Sequence, residues 1–491
     1  MHAPFPARPR VLKLAASALA IGLVMVVAPL PRFSFVATAS AHISPLEGFT
    51  ALGEAALRTQ QGIAEDPVDG SRVSAVQERE PEFNMIGVGF DEAPEEPVLV
   101  RVLDDDGVWG EWNELEIDRD KGPDPGTAEA VPGPAGAVVS EPLWVDSANG
   151  YELSVGESDA EGAKVSVVRE SLRRVVTESV PEAAAVAPPF GIHGRNAWSA
   201  RPPKNSPSIA SGGLKMAVVH HAATSNSYTS AQVPSILRSM QTYHMDSNNW
   251  SDLGYNFLVD RFGRIWEGRA GGTGNAVVGA HAGGFNTGSV GVSVIGTFTD
   301  VQAPAAAREG VSRIIGYRLA AYGVHPQQRS NITSGGSSSI PKGRVVNLPN
   351  VIGHRDVGQT GCPGLLHGNL GSIRHRAAEW FSYVDAMISP GGAISTVRVD
   401  GNRADVLGWA RDPDVASPAR VHVVLAGRLN EVYANGYRPD VGRMYPGHGD
   451  HRGWGTTFLN LPEGRHRLCV TVINDGAGVD KLLGCQDVVV K

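Results

Sequence analysis

The stretch PEAAAVAPPFG, Pro181–Gly191, most constrains the fold, because it separates two parts of the chain with different hydrophobic patterns. Proline and alanine at this density are typical of an extended linker, which we place at residues 181–190. The 491-residue chain is also too long for a single hydrophobic core. We therefore predict independent domains on the two sides of this linker.

Before the linker, residues 79–180 have the pattern of a small all-β module. Apolar and polar residues alternate through Val98–Asp118 around an Asp-Gly turn, and the alternation resumes over Leu143–Val155. The module is acidic, since residues 91–120 contain twelve Asp and Glu against two basic residues. We interpret this acidic run as a solvated face rather than a calcium site, because the sequence lacks a spaced D-x-D-x-D loop.

After the linker, residues 191–388 mix strands with long helices. AVVHH is a strand, and Val233, Ile236, Leu237, Met240 and Tyr243 follow helical spacing on one face. A hairpin with glycine in its turn, a continuous apolar strand and a second helix follow. This order predicts an α/β domain with a mixed central sheet and flanking helices.

Residues 389–491 return to short strands joined by Gly, Asp and Pro turns, which predicts a C-terminal β-sandwich module. This module contains two of the three cysteines, Cys469 and Cys485, on either side of a hairpin-like stretch. We predict a disulfide between them. The third cysteine, Cys362, is left unpaired, and in an exported protein an odd thiol suggests a metal-binding or catalytic role.

The first 41 residues have the features of an export signal. A basic start, the apolar run Leu14–Ala28 and small residues before His42 predict cleavage after Ala41. The run is shorter than the roughly 20 residues of a spanning helix, although an uncleaved tether remains an alternative. We predict a secreted or cell wall-associated protein in which residues 42–78 form an N-terminal spacer. A net charge of -8 without a dense basic stripe argues against nucleic-acid binding.

Two unusual stretches carry residues suited to a metal. AVVHH ends in His220 and His221, and VIGHRDVGQTGCPG contains His354 and the unpaired Cys362. Two imidazoles and one thiolate are ligands that zinc prefers, and they leave a fourth position for water. Neighbouring side chains on a strand point to opposite faces, so His220 and His221 do not easily reach one metal. The pattern alone does not select one of them.

Several motifs in chain order resemble the peptidoglycan recognition protein and type 2 N-acetylmuramoyl-L-alanine amidase family. The resemblance covers residues 191–388 and rests on five segments: GRNAWSA with Arg195, Trp198 and Ala200; VVHHAA; YHMDSNNWSDLGYNFLVDRFGRIWEGR; GAHAGGFNTGSVGVSVIG; and GHRDVGQTGCPG. It implies Zn²⁺ held by His220, His354 and Cys362, with His221 as a packed neighbour.

The resemblance also implies the remaining site residues. Tyr255 in LGYNF matches the catalytic tyrosine of the family, and Thr360, two residues before Cys362, matches a position that holds Thr or Lys in active members. His281 and Asn286 fall in a loop that the family places beside the stem-peptide groove. Ser293 stands where one cytosolic branch has a glutamate, so the chain resembles the tyrosine type.

The implied activity is hydrolysis of the amide between the lactyl group of N-acetylmuramic acid and L-alanine in peptidoglycan. We predict a monomer whose partner is peptidoglycan, with β modules that contact the cell envelope. A non-catalytic peptidoglycan receptor on the same scaffold and a zinc hydrolase for another amide are the alternatives. The receptor is less favoured, because all three ligands are present together with Tyr255 and Thr360.

Overall fold

The computed structural model describes residues 50–51, 57–59, 72–124, 126–127, 129, 138–160, 162–169 and 188–491. The predicted signal segment 1–41, most of the predicted linker 181–190 and much of the predicted spacer 42–78 lie outside the described residues. Within the described ranges, no helix is long and apolar enough to cross a membrane.

The N-terminal module is an antiparallel sheet of eight strands, in the order β1-β8-β3-β7-β4-β5, with β2 and β6 also paired to β3. The strands are β1 Thr50–Ala51, β2 Leu57–Thr59, β3 Arg72–Phe90, β4 Val98–Leu103, β5 Asn113–Leu115, β6 Val138–Val139, β7 Leu143–Gly156 and β8 Lys164–Val168. The predicted hairpin is therefore β4 and β5.

The prediction of a spacer over residues 42–78 requires a correction, because β1, β2 and the start of β3 lie within it. Strand β3 is 19 residues long and carries the charged run Glu78–Glu80 near its middle, which hides the apolar alternation. Its first residue is nevertheless buried, and the Arg72 guanidinium donates to Ser154 Oγ at 3.0 Å.

The central domain is built on a six-stranded mixed sheet, in the order β16-β10-β13-β11-β12-β9. Strands β16, β10, β13 and β11 run parallel to one another, whereas β12 is antiparallel to β11. The strands of the domain, including a separate hairpin of β14 and β15, are β9 Ile192–His193, β10 Met216–His221, β11 Phe257–Val259, β12 Ile265–Glu267, β13 Ser289–Val294, β14 Arg329–Thr333, β15 Val345–Pro349 and β16 Val351–Gly353.

Helices cover both faces of this sheet. Alternation along β11 separates the faces: Phe257 and Val259 pack with α2 (Ala305–Ala320) and α3 (Leu370–Ile388), whereas Leu258 packs with α1 (Val233–Thr242). The apolar face predicted for α1 is the one that is buried. Single helical turns occur at Glu157–Asp159, Arg195–Trp198, His354–Asp356 and Gly364–Asn369, and a π-helical turn at Tyr243–Ser247 continues α1.

The N-terminal module shares a hydrophobic core with α1. Met85, Trp144 and Val168 of the module are buried in one cluster with side chains of this helix. Polar contacts join the same surfaces, since Trp144 N donates to Thr224 Oγ1 at 2.7 Å and the Tyr243 hydroxyl donates to Ser140 O at 3.0 Å. The module is therefore packed against the central domain over a continuous apolar surface.

The C-terminal residues form two four-stranded antiparallel sheets around a common core, in the orders β17-β18-β22-β21 and β20-β19-β23-β24. Their elements are β17 Gly391–Asp400, β18 Arg403–Arg411, β19 Arg420–Leu425, β20 Arg428–Tyr433, β21 Gly436–Tyr437, α4 Pro439–Met444, β22 His451–Phe458, β23 Gly464–Ile473 and β24 Lys481–Val490. The predicted disulfide is confirmed, because Cys469 on β23 is bonded to Cys485 opposite it on β24.

Candidate metal centre

Two of the predicted metal ligands stand at the carboxyl ends of neighbouring parallel strands. His220 is near the end of β10, and His354 follows directly after β16. The register pairs Val219 with Gly353, so the two imidazoles come together at one edge of the sheet, with ring centroids 4.7 Å apart. In sheets with parallel strands, this carboxyl edge is the usual position of ligand sites.

The third predicted ligand reaches the same point from a loop. Cys362 Sγ lies 3.6 Å from His220 Nδ1, and the donor atoms of His220, His354 and Cys362 are all within 4.8 Å of one another. All three side chains are buried, with at most 4% of Cys362 exposed. Among the described residues, this is the one group of three histidine, cysteine or carboxylate side chains close enough to share an ion.

These residues fit a zinc ion. Both ring nitrogens of His354 are buried, and Nε2 has no hydrogen-bond partner among the described residues, so this imidazole has an unused nitrogen that a buried polar group normally does not have. Burial raises the pKa of the Cys362 thiol well above its usual value, and a metal cation is the kind of partner that would offset this cost for the thiolate. Two imidazoles and a thiolate match zinc in type and leave one position open.

His281 lies behind His220 rather than at the surface. Its Nδ1 is 3.0 Å from His220 Nε2, which leaves His220 Nδ1 facing Cys362. The ring fits because Gly291 is opposite, where an added Cβ would lie 2.3 Å from a His281 ring carbon. A histidine ligand whose second nitrogen is hydrogen-bonded in this way keeps its tautomer and ring orientation.

His221 faces away from His220 and makes other contacts. Its Nδ1 accepts a hydrogen bond from Phe298 N at 3.1 Å, and its Nε2 is 2.6 Å from Glu116 Oε2. Tyr255 is fully buried beside the cluster, and its hydroxyl donates to His221 O at 3.4 Å. Burial raises the pKa of Tyr255 well above its usual value, so its phenol stays protonated and able to donate.

A segment of the N-terminal module, residues 116–124, lies across this edge of the sheet; we call it the strap. It follows β5, and two of its carboxylates meet predicted site residues. Glu116 Oε1 accepts a hydrogen bond from Thr360 Oγ1 at 3.0 Å, and Asp118 Oδ2 is 3.0 Å from His354 Nδ1. The loop residue Asn286 also meets the strap, since its Nδ2 donates to Gly122 O at 2.8 Å.

The interpretation of the acidic run as a solvated face is therefore wrong for its last residues. Asp118 and Asp120 are buried against the central domain, at 5% and 7% exposure. Burial disfavours the ionised form of Asp118, but the adjacent His354 holds the pKa of this carboxyl below its usual value. The same pairing raises the pKa of His354, against the effect of its burial.

Glu116 and Asp118 are site residues that the sequence analysis missed. Both lie in a different module from their partners. Glu116 precedes its partner His221 by 105 residues, and Asp118 precedes His354 by more than 230 residues. A signal was present, because carboxylates alternate at positions 116, 118 and 120 after a strand. Alternate residues of an extended chain share a face, so this spacing predicts three carboxylates directed at one surface.

A cavity of about 300 Å³ lies at the C-terminal end of the strap, and His220, His354 and Cys362 do not line it. Pro123, Asp124, Thr127 and Glu129 of the N-terminal module form one side, and residues between 203 and 208 of the central domain form the other. Arg269 lines it and pairs there with Glu129. Open volume is therefore present at this end of the strap, away from the predicted ligands.

Comparisons with known proteins agree with this organisation. Residues 211–365 match the family model described as N-acetylmuramoyl-L-alanine amidase, and residues 38–184 match one described as Rv3811 N-terminal galactose-binding domain-like. The chain is 32% identical over 173 residues to peptidoglycan-recognition protein SC2 of Drosophila simulans, which covers 35% of this chain and 80% of that protein. It is 30% identical over 177 residues to human N-acetylmuramoyl-L-alanine amidase, covering 35% of this chain and 26% of that protein.

Two solved structures of peptidoglycan recognition proteins are also similar to part of this chain. Drosophila PGRP-LB wild-type is 26% identical, with a TM-score of 0.30 over 37% of this chain and 93% of that one. Peptidoglycan recognition protein-LE in complex with tracheal cytotoxin is 30% identical, with a TM-score of 0.28 over 37% of this chain and 92% of that one.

Proposed function

We propose, since the chain belongs to the peptidoglycan recognition protein and type 2 N-acetylmuramoyl-L-alanine amidase family, that it is a zinc-dependent amidase of peptidoglycan. It would hydrolyse the amide between the lactyl group of N-acetylmuramic acid and L-alanine, which releases stem peptides from the glycan. The observation that carries this proposal is the cluster of His220, His354 and Cys362, whose donor atoms lie within 4.8 Å of one another.

The residues of the cluster have distinct tasks in this proposal. His220 would hold the metal through Nδ1, and its Nε2, 3.0 Å from His281 Nδ1, would then donate to that nitrogen, which fixes the ring. His354 and Cys362 complete the protein ligands. Bound zinc lowers the pKa of a water towards about 7 and polarises a carbonyl, which is the chemistry that amide hydrolysis needs.

Tyr255 and Thr360 are the groups that act on the substrate. The phenol of Tyr255 remains protonated because it is buried, so it can donate to the oxyanion that forms at the scissile carbonyl. The hydroxyl of Thr360 is bonded to the Cys362 backbone N–H at 3.1 Å, which keeps it beside the metal ligand and able to donate at the same carbonyl.

We assign substrate binding to the loop that contains His281 and Asn286. The amide oxygen of Asn286 accepts from the backbone N–H groups of His281 and Ala282, so the loop is held in one conformation. The Asn286 Nδ2 group points outward towards the strap and is suited to bind a carbonyl of the stem peptide. His281 itself is fully buried, and we assign it the positioning of His220.

The proposal includes export and action at the cell wall, because the sequence has a signal-like start and the substrate is extracytoplasmic. The disulfide between Cys469 and Cys485 is in keeping with an oxidising compartment. The flanking β modules would contact the cell envelope, and the chain would act as a monomer.

The assay that tests this function uses the full zinc-loaded chain. It is incubated with purified muropeptides, and the products are analysed by mass spectrometry. Free stem peptides that appear with zinc, and that are lost with a chelator or with Cys362→Ala, are the expected result. Release of disaccharides without free stem peptides would contradict the amidase assignment. Zinc-dependent binding of muropeptides without release would favour the receptor alternative.

A further inference from the structure

The strap is anchored on both sides of the predicted metal centre. Asp120 accepts backbone hydrogen bonds from Ser338 N at 2.7 Å and from Gln359 N at 2.9 Å. Asp124 accepts from Gly284 N at 2.9 Å and from Thr287 Oγ1 at 2.9 Å. The strap is therefore bonded to three loops of the central domain that border the same edge of the sheet.

Between these anchors, the strap takes up the polar groups that the proposed reaction requires. The Thr360 hydroxyl is bonded to Glu116, and the Asn286 amide is bonded to Gly122 and Asp124. The Lys121 ammonium, which pairs with the buried Glu141, lies 4.6 Å from the centre of the Tyr255 ring. A stem peptide that uses these groups must first displace the strap.

Asp118 goes further and reaches the metal ligands. Its Oδ2 lies 3.0 Å from His354 Nδ1, which makes a carboxylate–imidazole pair between the strap and a predicted metal ligand. Asp118 itself is outside the group of side chains whose donor atoms are close enough to share one ion. Asp118 Oδ1 is fixed by Asp120 N at 2.9 Å, which leaves Oδ2 directed at the centre.

We propose that the strap of the N-terminal module keeps the metal centre closed, with the Asp118–His354 pair as its innermost contact. Three protein ligands leave the fourth zinc position for water or substrate, and the strap lies across the edge of the sheet where a stem peptide would reach that position. This inference rests on the proposed function and concerns its regulation. The chain is then latent as folded, and displacement of the strap exposes the fourth position together with Thr360 and Asn286.

The test reads the metal coordination directly. The full chain is loaded with Co²⁺, whose visible absorption reports its ligands, and is titrated with acetohydroxamate as an external ligand. The wild-type spectrum should not respond, because the strap covers the fourth position, whereas the spectrum of Asp118→Asn should shift as acetohydroxamate enters the uncovered position. Competition with a chromophoric chelator should give a zinc affinity at least about tenfold lower for Asp118→Asn, as for the loss of a group that supports a metal site.

Two further variants keep the result interpretable. Asp120→Asn loosens the strap without touching the metal, so it should give an intermediate response to acetohydroxamate. Asp91→Asn changes a partly exposed carboxylate of the same module, which pairs with Lys164, and should behave as the wild type. An acetohydroxamate response equal in the wild type and Asp118→Asn would overturn the proposal. So would a lower zinc affinity without a new external-ligand position, since Asp118 would then only orient His354.

Stem-peptide release, measured on the same proteins, separates this inference from the proposed function. Asp118→Asn should release stem peptides at least about tenfold faster than the wild type. If the Co²⁺ spectrum of Asp118→Asn responds to acetohydroxamate but no stem peptide is released, the amidase assignment is contradicted and the closed centre is supported. If the wild type and Asp118→Asn release stem peptides equally and neither spectrum responds differently, the closed centre is contradicted and the amidase assignment is supported.

Discussion

The two modules that flank the central domain are joined to it in different ways. The N-terminal module shares a hydrophobic core with α1 and extends the strap over the predicted metal ligands. The C-terminal module has a core of its own, and its loop before β24 contacts the central domain, where Val479 lies against Gly323 and Ala477 packs against the central core. One module is thus built into the site, whereas the other is attached at a distance from it.

This difference teaches that a module can control chemistry only when its side chains enter the site. The contacts of the strap are carboxylates with buried hydrogen bonds, and such groups are costly to leave unpaired. The C-terminal contact is made by an aliphatic side chain that remains 40% exposed. We therefore expect changes in the N-terminal module to alter activity and changes in the C-terminal module to alter only its own stability.

The largest effect is expected at two adjacent residues of β10: His220, a predicted metal ligand, and His221, which contacts Glu116 of the strap. His220→Ala should abolish zinc binding and reduce stem-peptide release to the level of the chelated protein. His221→Ala should keep the zinc and lose the contact with Glu116, at a cost of about 1–3 kcal/mol in the free energy of unfolding. Metal analysis and denaturant unfolding measure both, and equal loss of zinc in the two variants would contradict the assignment.

A large effect is also expected at the apolar contact of the N-terminal module. Trp144 is buried in the cluster shared with α1, so Trp144→Ala should lower the free energy of unfolding by about 3–5 kcal/mol and speed stem-peptide release as the strap loosens. Val479→Ala at the C-terminal contact should stay within about 0.5 kcal/mol of the wild type. Urea unfolding of both variants measures the two losses in free energy of unfolding. Equal losses would contradict the proposed difference in how the two modules are attached.

The disulfide of the C-terminal module offers a smaller effect confined to that module. Replacing Cys469 and Cys485 together by alanine opens a loop of 16 residues, which corresponds to about 3 kcal/mol of stabilisation. Because this bond is remote from the site, stem-peptide release should not change. Calorimetry should shift the transition of the C-terminal module alone, and a parallel loss of activity would show that this module is coupled to the site.

The smallest effect is a pH dependence within the C-terminal module. Burial and the adjacent Asp414 raise the pKa of Asp412 from 3.8 to about 7 in the folded chain. The stability that the neutral carboxyl contributes is fully present below about pH 3.8 and is lost as the pH rises through about 7. The wild-type melting temperature should therefore fall relative to that of Asp412→Asn between pH 5 and pH 8, and parallel pH profiles would disprove the assignment.

The sequence predicts the metal ligands of the central domain better than the strap residues that lie across them, for a physical reason. His220, His354 and Cys362 are unusual donor types in apolar or glycine-rich surroundings, so their chemistry is visible without a structure. Asp118 is one acidic residue among many, and an acidic run is normally solvated. Only the packing of the strap against the central domain, across more than 200 residues of sequence, separates Asp118 from its exposed neighbours.

The two modules differ in predictability in the same way. The strands of the C-terminal module alternate regularly, and its disulfide joins cysteines on neighbouring strands, so local pattern is sufficient. The sequence pattern does not indicate the start of β3, because its charges interrupt the alternation and its longer partner, β7, lies more than 70 residues away, with only the three-residue β2 nearby among the described strands. Pairing between distant strands is decided by tertiary contacts, which local periodicity does not contain.

The burial of Cys362 beside the strap has a consequence for the lifetime of the proposed exported enzyme. Cys362 is the one free cysteine of the chain, and free thiols in an oxidising medium are open to oxidation and disulfide exchange when they are exposed. In the proposed closed amidase, an oxidant reaches this sulfur only when the strap has moved aside. The segment that would withhold the proposed centre from peptidoglycan would therefore also preserve it chemically, and each opening would expose the thiol to damage.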